Sequence, residues 1–310
     1  MTTGMDRMDF IKLLGFGGLA FASGIKGFAG GASASAAGGR GSDYAFVQLS
    51  DTHWGFSGPK VNPDAAGTLE KAVDAVNALA RQPDFVIFTG DLTHTTDDPK
   101  ERRGRMARFK EIVSKLRARE VRFIPGEHDA SLDRGEAYRE FFGEPTYAFD
   151  HKGIHFIALD NVSEPGGVLG PAQLDWLAKD LEGQGKETPI VVFAHRPLFN
   201  LYEDWDWTTA DGEKAIGLLA THPHVTVFYG HIHQENHHMT GAIAHHAAKS
   251  LIFPLPAPGS VPKRAPLPWN PDLPYQGLGL REVDLRSRKA GPFTAADVQE
   301  RIQEIPVPHP

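Results

Sequence analysis

Six short apolar runs set the frame for this chain. They are AFVQLS (45–50), DFVIFTG (84–90), VRFIPG (121–126), HFIALD (155–160), PIVVFAH (189–195) and VTVFYGH (225–231). Each is rich in Val, Ile and Phe and almost continuously apolar, which is how strands buried on both faces read. Helical patterns lie between them. Residues 68–80 put Leu69, Ala72, Val73, Val76 and Leu79 on one face. Residues 105–119 do the same with Met106, Phe109, Ile112, Val113 and Leu116, and 171–181 opens on Pro171 and carries Leu174, Leu177 and Leu181. Such alternation predicts an α/β fold. TYAFD and HFIALD, separated by His151-Lys152-Gly153, read as a hairpin, so the sheet is expected to be mixed.

The remaining segments are less regular. In the first forty residues a short polar start precedes an apolar run from Ile11 to about Ala22 and then small residues with A-x-A sites. That order predicts a signal peptide or N-terminal arm over 1–40 and an exported, periplasmic protein, with a cytoplasmic one as the alternative. Residues 6–12 resemble a twin-arginine export signal in which Met8 stands at the second arginine position. The main domain is expected over 41–290, with the proline-dense stretch 254–274 as an extended covering segment and a last strand near 278–285. The tail, 291–310, is expected to hold a short helix from Ala295 to Ile305. A net charge of −7 without a Lys/Arg-rich run gives no electrostatic support for nucleic-acid binding. The chain has no cysteine, so any metal must be held by His, Asp, Glu or carbonyl oxygens.

The chemistry-bearing residues stand directly behind the apolar runs. Asp51 and His53 follow the first, Gly90-Asp91 ends the second, and Glu127, His128 and Asp129 follow the third. The fifth ends on His195, and the sixth leads into His231 and His233. In α/β sheets the carboxyl ends of strands are where ligands bind. One such histidine alone is better explained as a structural residue; five strand ends in the same context are not. Three acids and four imidazoles are enough for two divalent metals that share a carboxylate and clamp an in-line displacement at phosphorus.

The set DTH, GD, GEHD, AH and GHIH resembles the calcineurin-like metallophosphoesterases, nearest the cyclic-nucleotide phosphodiesterase branch and the purple acid phosphatase-like relatives. The resemblance covers roughly residues 44–240. It implies a four-layer α/β/β/α sandwich with two mixed sheets, and two metal ions drawn from manganese, iron or zinc. It implies that Asp51, His53 and His233 hold one ion, that residue 127, His195 and His231 hold the other, and that Asp91 bridges. His128 is then the general acid, with Asp129 orienting its ring. His94 and Arg196 are the expected phosphate contacts, with a surface ion pair as the alternative for Arg196. The substrate is expected to be a small-molecule phosphoester, with a diester favoured over a monoester and a metal- or partner-binding protein with little catalysis as the competing reading.

One position departs from the pattern. Glu127 stands where relatives carry Asn, which adds a methylene and a negative charge. The aromatics of FNLYEDWDW (199–207), with Trp54 and Phe56, are expected either at the mouth of the site or packed onto the domain.

Overall fold

The computed structural model describes residues 44–285 and 298–304; the expected N-terminal signal lies outside them. Among the described residues no helix is long and apolar enough to cross a membrane. The first sheet contains β1 (Tyr44–Leu49), β2 (Phe85–Thr89), β3 (Val121–Ile124), β10 (Gly279–Leu285) and β11 (Val298–Glu304), in the order β11-β10-β1-β2-β3. The second contains β4 (Tyr147–His151), β5 (Ile154–Ala158), β6 (Ile190–Phe193), β7 (Val225–Tyr229), β8 (Asn236–Thr240) and β9 (Ile243–Ala247), in the order β4-β5-β6-β7-β9-β8. Strands β1, β2 and β3 run parallel, as do β5, β6, β7 and β9; antiparallel strands close both edges of the second sheet and the β11 edge of the first. The β4–β5 hairpin turns on Lys152 (φ 49°) and Gly153 (φ 82°), the doubly positive geometry that suits two-residue hairpins.

Apolar side chains divide into three layers. Between the sheets lies an aromatic stack, with Phe46 5.1 Å from Phe85 and edge-on to Phe193 and Phe228 at 5.6 and 5.3 Å. Edge-to-face packing suits the ring quadrupole, and rings of this size fill the space between two sheets. The outer face of the first sheet is covered by α1 (Thr68–Asn77), α2 (Pro99–Val113) and α4 (Glu136–Phe142). The second sheet is covered by α5 (Pro171–Glu182) and α6 (Gly212–Leu219), with Trp205 and Trp207 buried beside them. The arrangement is the four-layer α/β/β/α sandwich.

Two sequence expectations need correction. The helix expected over 105–119 runs from Pro99 to Val113, because Asp98 caps it by accepting from Lys100 N (2.8 Å) and Pro99 occupies its first turn. The tail helix expected over 295–305 is the strand β11, which pairs antiparallel with β10 from Val298 opposite Leu285 to Glu304 opposite Gly279. β11 supplies the ladder partners of β10 along its whole length, and that pairing outweighs a weak helical preference. The hairpin β8–β9 had no counterpart in the sequence reading. The proline-dense stretch carries no helix or strand. Leu267 N–H donates to Pro254 O (3.0 Å) and Trp269 N–H to Lys60 O (3.2 Å), leaving a cavity of about 300 Å³ lined by Val61, Ile252, Pro254, Trp269 and Leu273.

Candidate metal centre

Four of the critical residues sit two positions beyond their strands: Asp51 after β1, Asp91 after β2, His195 after β6 and His231 after β7. Glu127 opens α3 (Glu127–Ala130) just after β3. Because these strands end at one edge, the side chains converge. The backbone there is unusual. Asp51 (φ 53°), His53 (40°), Asp91 (49°), His231 (68°) and His233 (54°) all lie in the left-handed region. Asp and His tolerate that region better than most side chains, and each such residue still carries strain of about 1–3 kcal/mol. Two glycines let backbone close in. A Cβ on Gly90 (φ +94°) would lie 2.2 Å from His195 Nδ1, and one on Gly126 would lie 2.1 Å from Asp91 Oδ1.

The side chains form two groups. In the first, His53 Nε2 is 3.2 Å from His233 Nε2 and 3.3 Å from Asp91 Oδ2, and His233 Nε2 is 3.4 Å from Asp51 Oδ1. In the second, Glu127 spans two rings, with Oε2 2.8 Å from His195 Nε2 and Oε1 2.8 Å from His231 Nδ1. Asp91 Oδ2 also lies 3.6 Å from His195 Nε2, so one oxygen faces both groups. Its other oxygen accepts from His128 N (2.9 Å).

Both groups fit metal ions. Ligands bonded at about 2.1 Å to a common ion stand about 3.0–3.4 Å apart, close to these separations. Three imidazoles have their tautomers fixed by backbone carbonyls, which only accept. His195 Nδ1 donates to Thr89 O (2.7 Å), His231 Nε2 to Asp206 O (3.0 Å) and His233 Nδ1 to Phe253 O (2.8 Å). In its neutral form each ring therefore turns a lone pair inward, the arrangement by which outer partners orient metal-binding histidines. The inward atoms His195 Nε2, His231 Nδ1 and Glu127 Oε2 are buried without an aligned hydrogen bond, although they lie 2.8 Å from neighbours. Lone pairs aimed at a shared point, rather than at each other, produce that misalignment.

The electrostatics agree. Burial opposes ionisation of Glu127, yet His231 and His195 hold its carboxyl well below the ordinary range. Burial likewise opposes protonation of His195, but Asp91 and Glu127 raise it well above its usual value. His53 is pushed well below its usual value by burial, with Asp91 opposing.

His128 accepts from Thr95 N (3.1 Å) at Nδ1, which places the proton of the neutral ring on Nε2. A His128 ring nitrogen lies within 4.8 Å of oxygens of both Asp91 and Glu127. Asp129 does not orient that ring. Its oxygens accept from Leu92 N, Thr93 N and Gly126 N at 2.9, 2.9 and 3.0 Å and from the Thr93 hydroxyl. Consecutive residues on a helical turn point about 100° apart, and Asp129 serves the loop while His128 faces the centre. Burial and the Asp91 charge push Asp129 up to about 6, against four donors that favour its ionised form.

Arg196 takes the ion-pair alternative, though in a buried position and not at the surface. Its guanidinium is engaged by the carbonyl and carboxylate of Asp206. The same Asp206 carbonyl accepts from His231, so Arg196 braces an imidazole of the centre instead of meeting phosphate. His94 places Nδ1 3.3 Å from His53 Nδ1, stacks on His128 at 4.9 Å, and is pushed down to about 4 by burial, then by His128 and Arg105. Of the aromatics, Phe199, Trp205 and Trp207 are buried in the core, and Phe56 packs on His94 and Phe253. Phe253, absent from the sequence reading, stacks on His53 at 5.7 Å. The orienting groups of Thr89, Asp206 and Phe253 are backbone carbonyls and leave no side-chain signature.

Two mixed sheets packed face to face, with an oxygen–imidazole cluster at their shared carboxyl edge, define a metallophosphoesterase. The chain belongs to the calcineurin-like phosphoesterase family, whose sequence profile matches residues 44–235. It is 28% identical over 238 residues to a probable cyclic nucleotide phosphodiesterase of Rhodopseudomonas palustris, spanning 70% of this chain and 83% of the relative. It is 30% identical over 224 residues to the 3′,5′-cyclic adenosine monophosphate phosphodiesterase of Pseudomonas aeruginosa, spanning 69% of this chain and 78% of that protein. The crystal structure of a dimetal phosphatase from Danio rerio shares the fold, with a TM-score of 0.55 at 14% identity over 85% of this chain and 99% of that one.

Proposed function

We propose that the chain is a dinuclear phosphodiesterase acting on small phosphodiesters, cyclic nucleotides among them. The observation that carries this is Asp91 Oδ2, a single buried oxygen shared by two groups whose lone pairs point inward. Asp51, His53 and His233 would hold one ion, Glu127, His195 and His231 the other, and Asp91 both. Ions bound there supply an activated water at neutral pH and neutralise charge developing on the phosphoryl oxygens. The protein's own part is positioning. Carbonyls of Thr89, Asp206 and Phe253 fix three rings, and the Thr95 N–H keeps the His128 proton on Nε2, where it can be given to the leaving oxygen. His94, stacked on His128, lies at the same edge and is the proposed phosphate contact.

Preference for a diester is supported by the names of the two relatives and by the surrounding cations. Arg196 is committed to Asp206, and Arg105 to Glu101 and to the carbonyls of His94 and Thr95. Neither awaits a second phosphate charge. The order of segments over residues 1–40 supports export, which sequencing the mature N-terminus tests.

The functional test is hydrolysis of a chromogenic phosphodiester and its matching monoester by metal-stripped protein resupplied with manganese, iron or zinc. Diester turnover lost in His128→Ala is the expected result. Faster monoester turnover would reassign the substrate class. No turnover in protein carrying two ions would leave a metal-binding protein.

A further inference from the structure

Glu127 is the third carboxylate of a centre whose other ligands are four imidazoles, and it reaches both His195 and His231 with separate oxygens. Three carboxylates against two divalent ions leave one net positive charge. With the activated water counted as neutral, a monoanionic diester brings that to neutrality, whereas a dianionic monoester or inorganic phosphate overshoots it; a hydroxide lowers both sums by one and leaves the difference between the ligands unchanged. With a neutral side chain at 127 the centre would carry two positive charges and match a dianion. The nearby guanidinium groups do not compensate, since Arg196 and Arg105 are held by Asp206 and Glu101.

We propose that Glu127 is a charge filter, a ligand whose negative charge makes the centre select monoanionic phosphodiesters and reject dianionic phosphates. This rests on the dinuclear reading above. A unit charge acting across about 5 Å at an effective dielectric near 20 changes affinity by about two orders of magnitude per unit of ligand charge. The dianion feels twice the penalty of the monoanion, so selectivity moves by up to that factor. The same filter limits product inhibition: a monoester product of diester cleavage is a dianion and is released by the charge that tolerated its parent.

The test is calorimetric, with no turnover required. Manganese-loaded wild type, Glu127→Gln and Glu127→Asp are titrated at pH 8 with inorganic phosphate and with dimethyl phosphate, after metal content is counted in each. Wild type should bind phosphate less than tenfold tighter than dimethyl phosphate. Glu127→Gln should tighten phosphate at least tenfold relative to dimethyl phosphate, and Glu127→Asp should keep the wild-type ratio. Two bound ions with an unchanged ratio in Glu127→Gln would overturn the filter and leave the dinuclear reading standing. If Glu127→Gln loses an ion, the wild-type ratio decides: a preference for phosphate of tenfold or more overturns the filter. Wild type that binds fewer than two ions would overturn the dinuclear reading itself.

Discussion

Gly126→Ala isolates the geometry of the shared carboxylate. At φ −105° and ψ 174° an alanine pays no backbone penalty, so only the new methyl matters. Its Cβ would lie 2.1 Å from Asp91 N and from Asp91 Oδ1, and 2.6 Å from Asp91 Cγ. Ordinary van der Waals contact begins near 3.4 Å, so Asp91 must retreat by about 1.3 Å. Metal ligands tolerate about 0.2 Å. Overpacking of this kind costs about 1–3 kcal/mol of stability, but misplacing a reacting constellation by 1 Å costs about 100-fold in rate. The expected outcome is a folded protein that loses both ions together, because Asp91 serves both groups, with turnover down at least 100-fold. Metal content after gel filtration, thermal unfolding and diester hydrolysis read these separately. Gly104→Ala is the control: nothing lies within 4 Å of its Cβ in the interior of α2, and the exchange should stabilise by about 1 kcal/mol. Gly126→Ala protein that keeps two ions and wild-type turnover would refute the shared role of Asp91.

Other perturbations separate bracing from ligation and core from surface. Arg196→Ala frees the Asp206 carbonyl that fixes His231, so affinity for the second ion should fall about 10–100-fold while the first is retained, read by stepwise metal titration. Equal loss at both positions would place Arg196 in general folding instead. Asp64 accepts from Lys71 Nζ (2.6 Å) and Tyr275 Oη (2.7 Å), tying the loop before α1 to the residue that follows the proline-dense stretch. Burial opposes its ionisation, but the bonds from Lys71 and Tyr275 lower its pKa, so this tie is complete above the ordinary carboxyl value near 3.9 and is lost as pH falls through the lower folded value. Asp64→Asn should flatten that acid limb of the melting curve and speed proteolysis within 254–274 at pH 7. Phe156→Ala opens the layer between the sheets, where Phe156 stacks on Phe149 at 4.8 Å, and should cost about 3–5 kcal/mol in denaturant unfolding.

The convergence of Asp51, His53, Asp91, Glu127, His195, His231 and His233 was legible in the sequence because parallel strands end together. A side chain's distance beyond its strand is a spatial coordinate. Roles set by direction were not legible. Asp129 adjoins His128 in sequence but serves Leu92 and Thr93, and Arg196 adjoins His195 but reaches Asp206. The start of α2 lies in Asp98-Pro99, a cap signature well ahead of the apolar periodicity that begins at Met106. β11 was hidden for a different reason: VQERIQE contains good helix formers, and only its pairing with β10 makes it a strand.

The left-handed backbone at Asp51, His53, Asp91, His231 and His233 limits how the centre can change over evolutionary time. Where those five side chains hold the proposed ions, a replacement must satisfy two filters at once, an atom able to ligate and a side chain that accepts positive φ. Asn is nearly the only newcomer that passes both. Glu127 and His195 are not among the residues of positive φ and are free of the second filter. Drift in metal choice or in charge is thereby channelled to positions 127 and 195, and this chain's unusual glutamate stands at one of the two places where the architecture permits novelty.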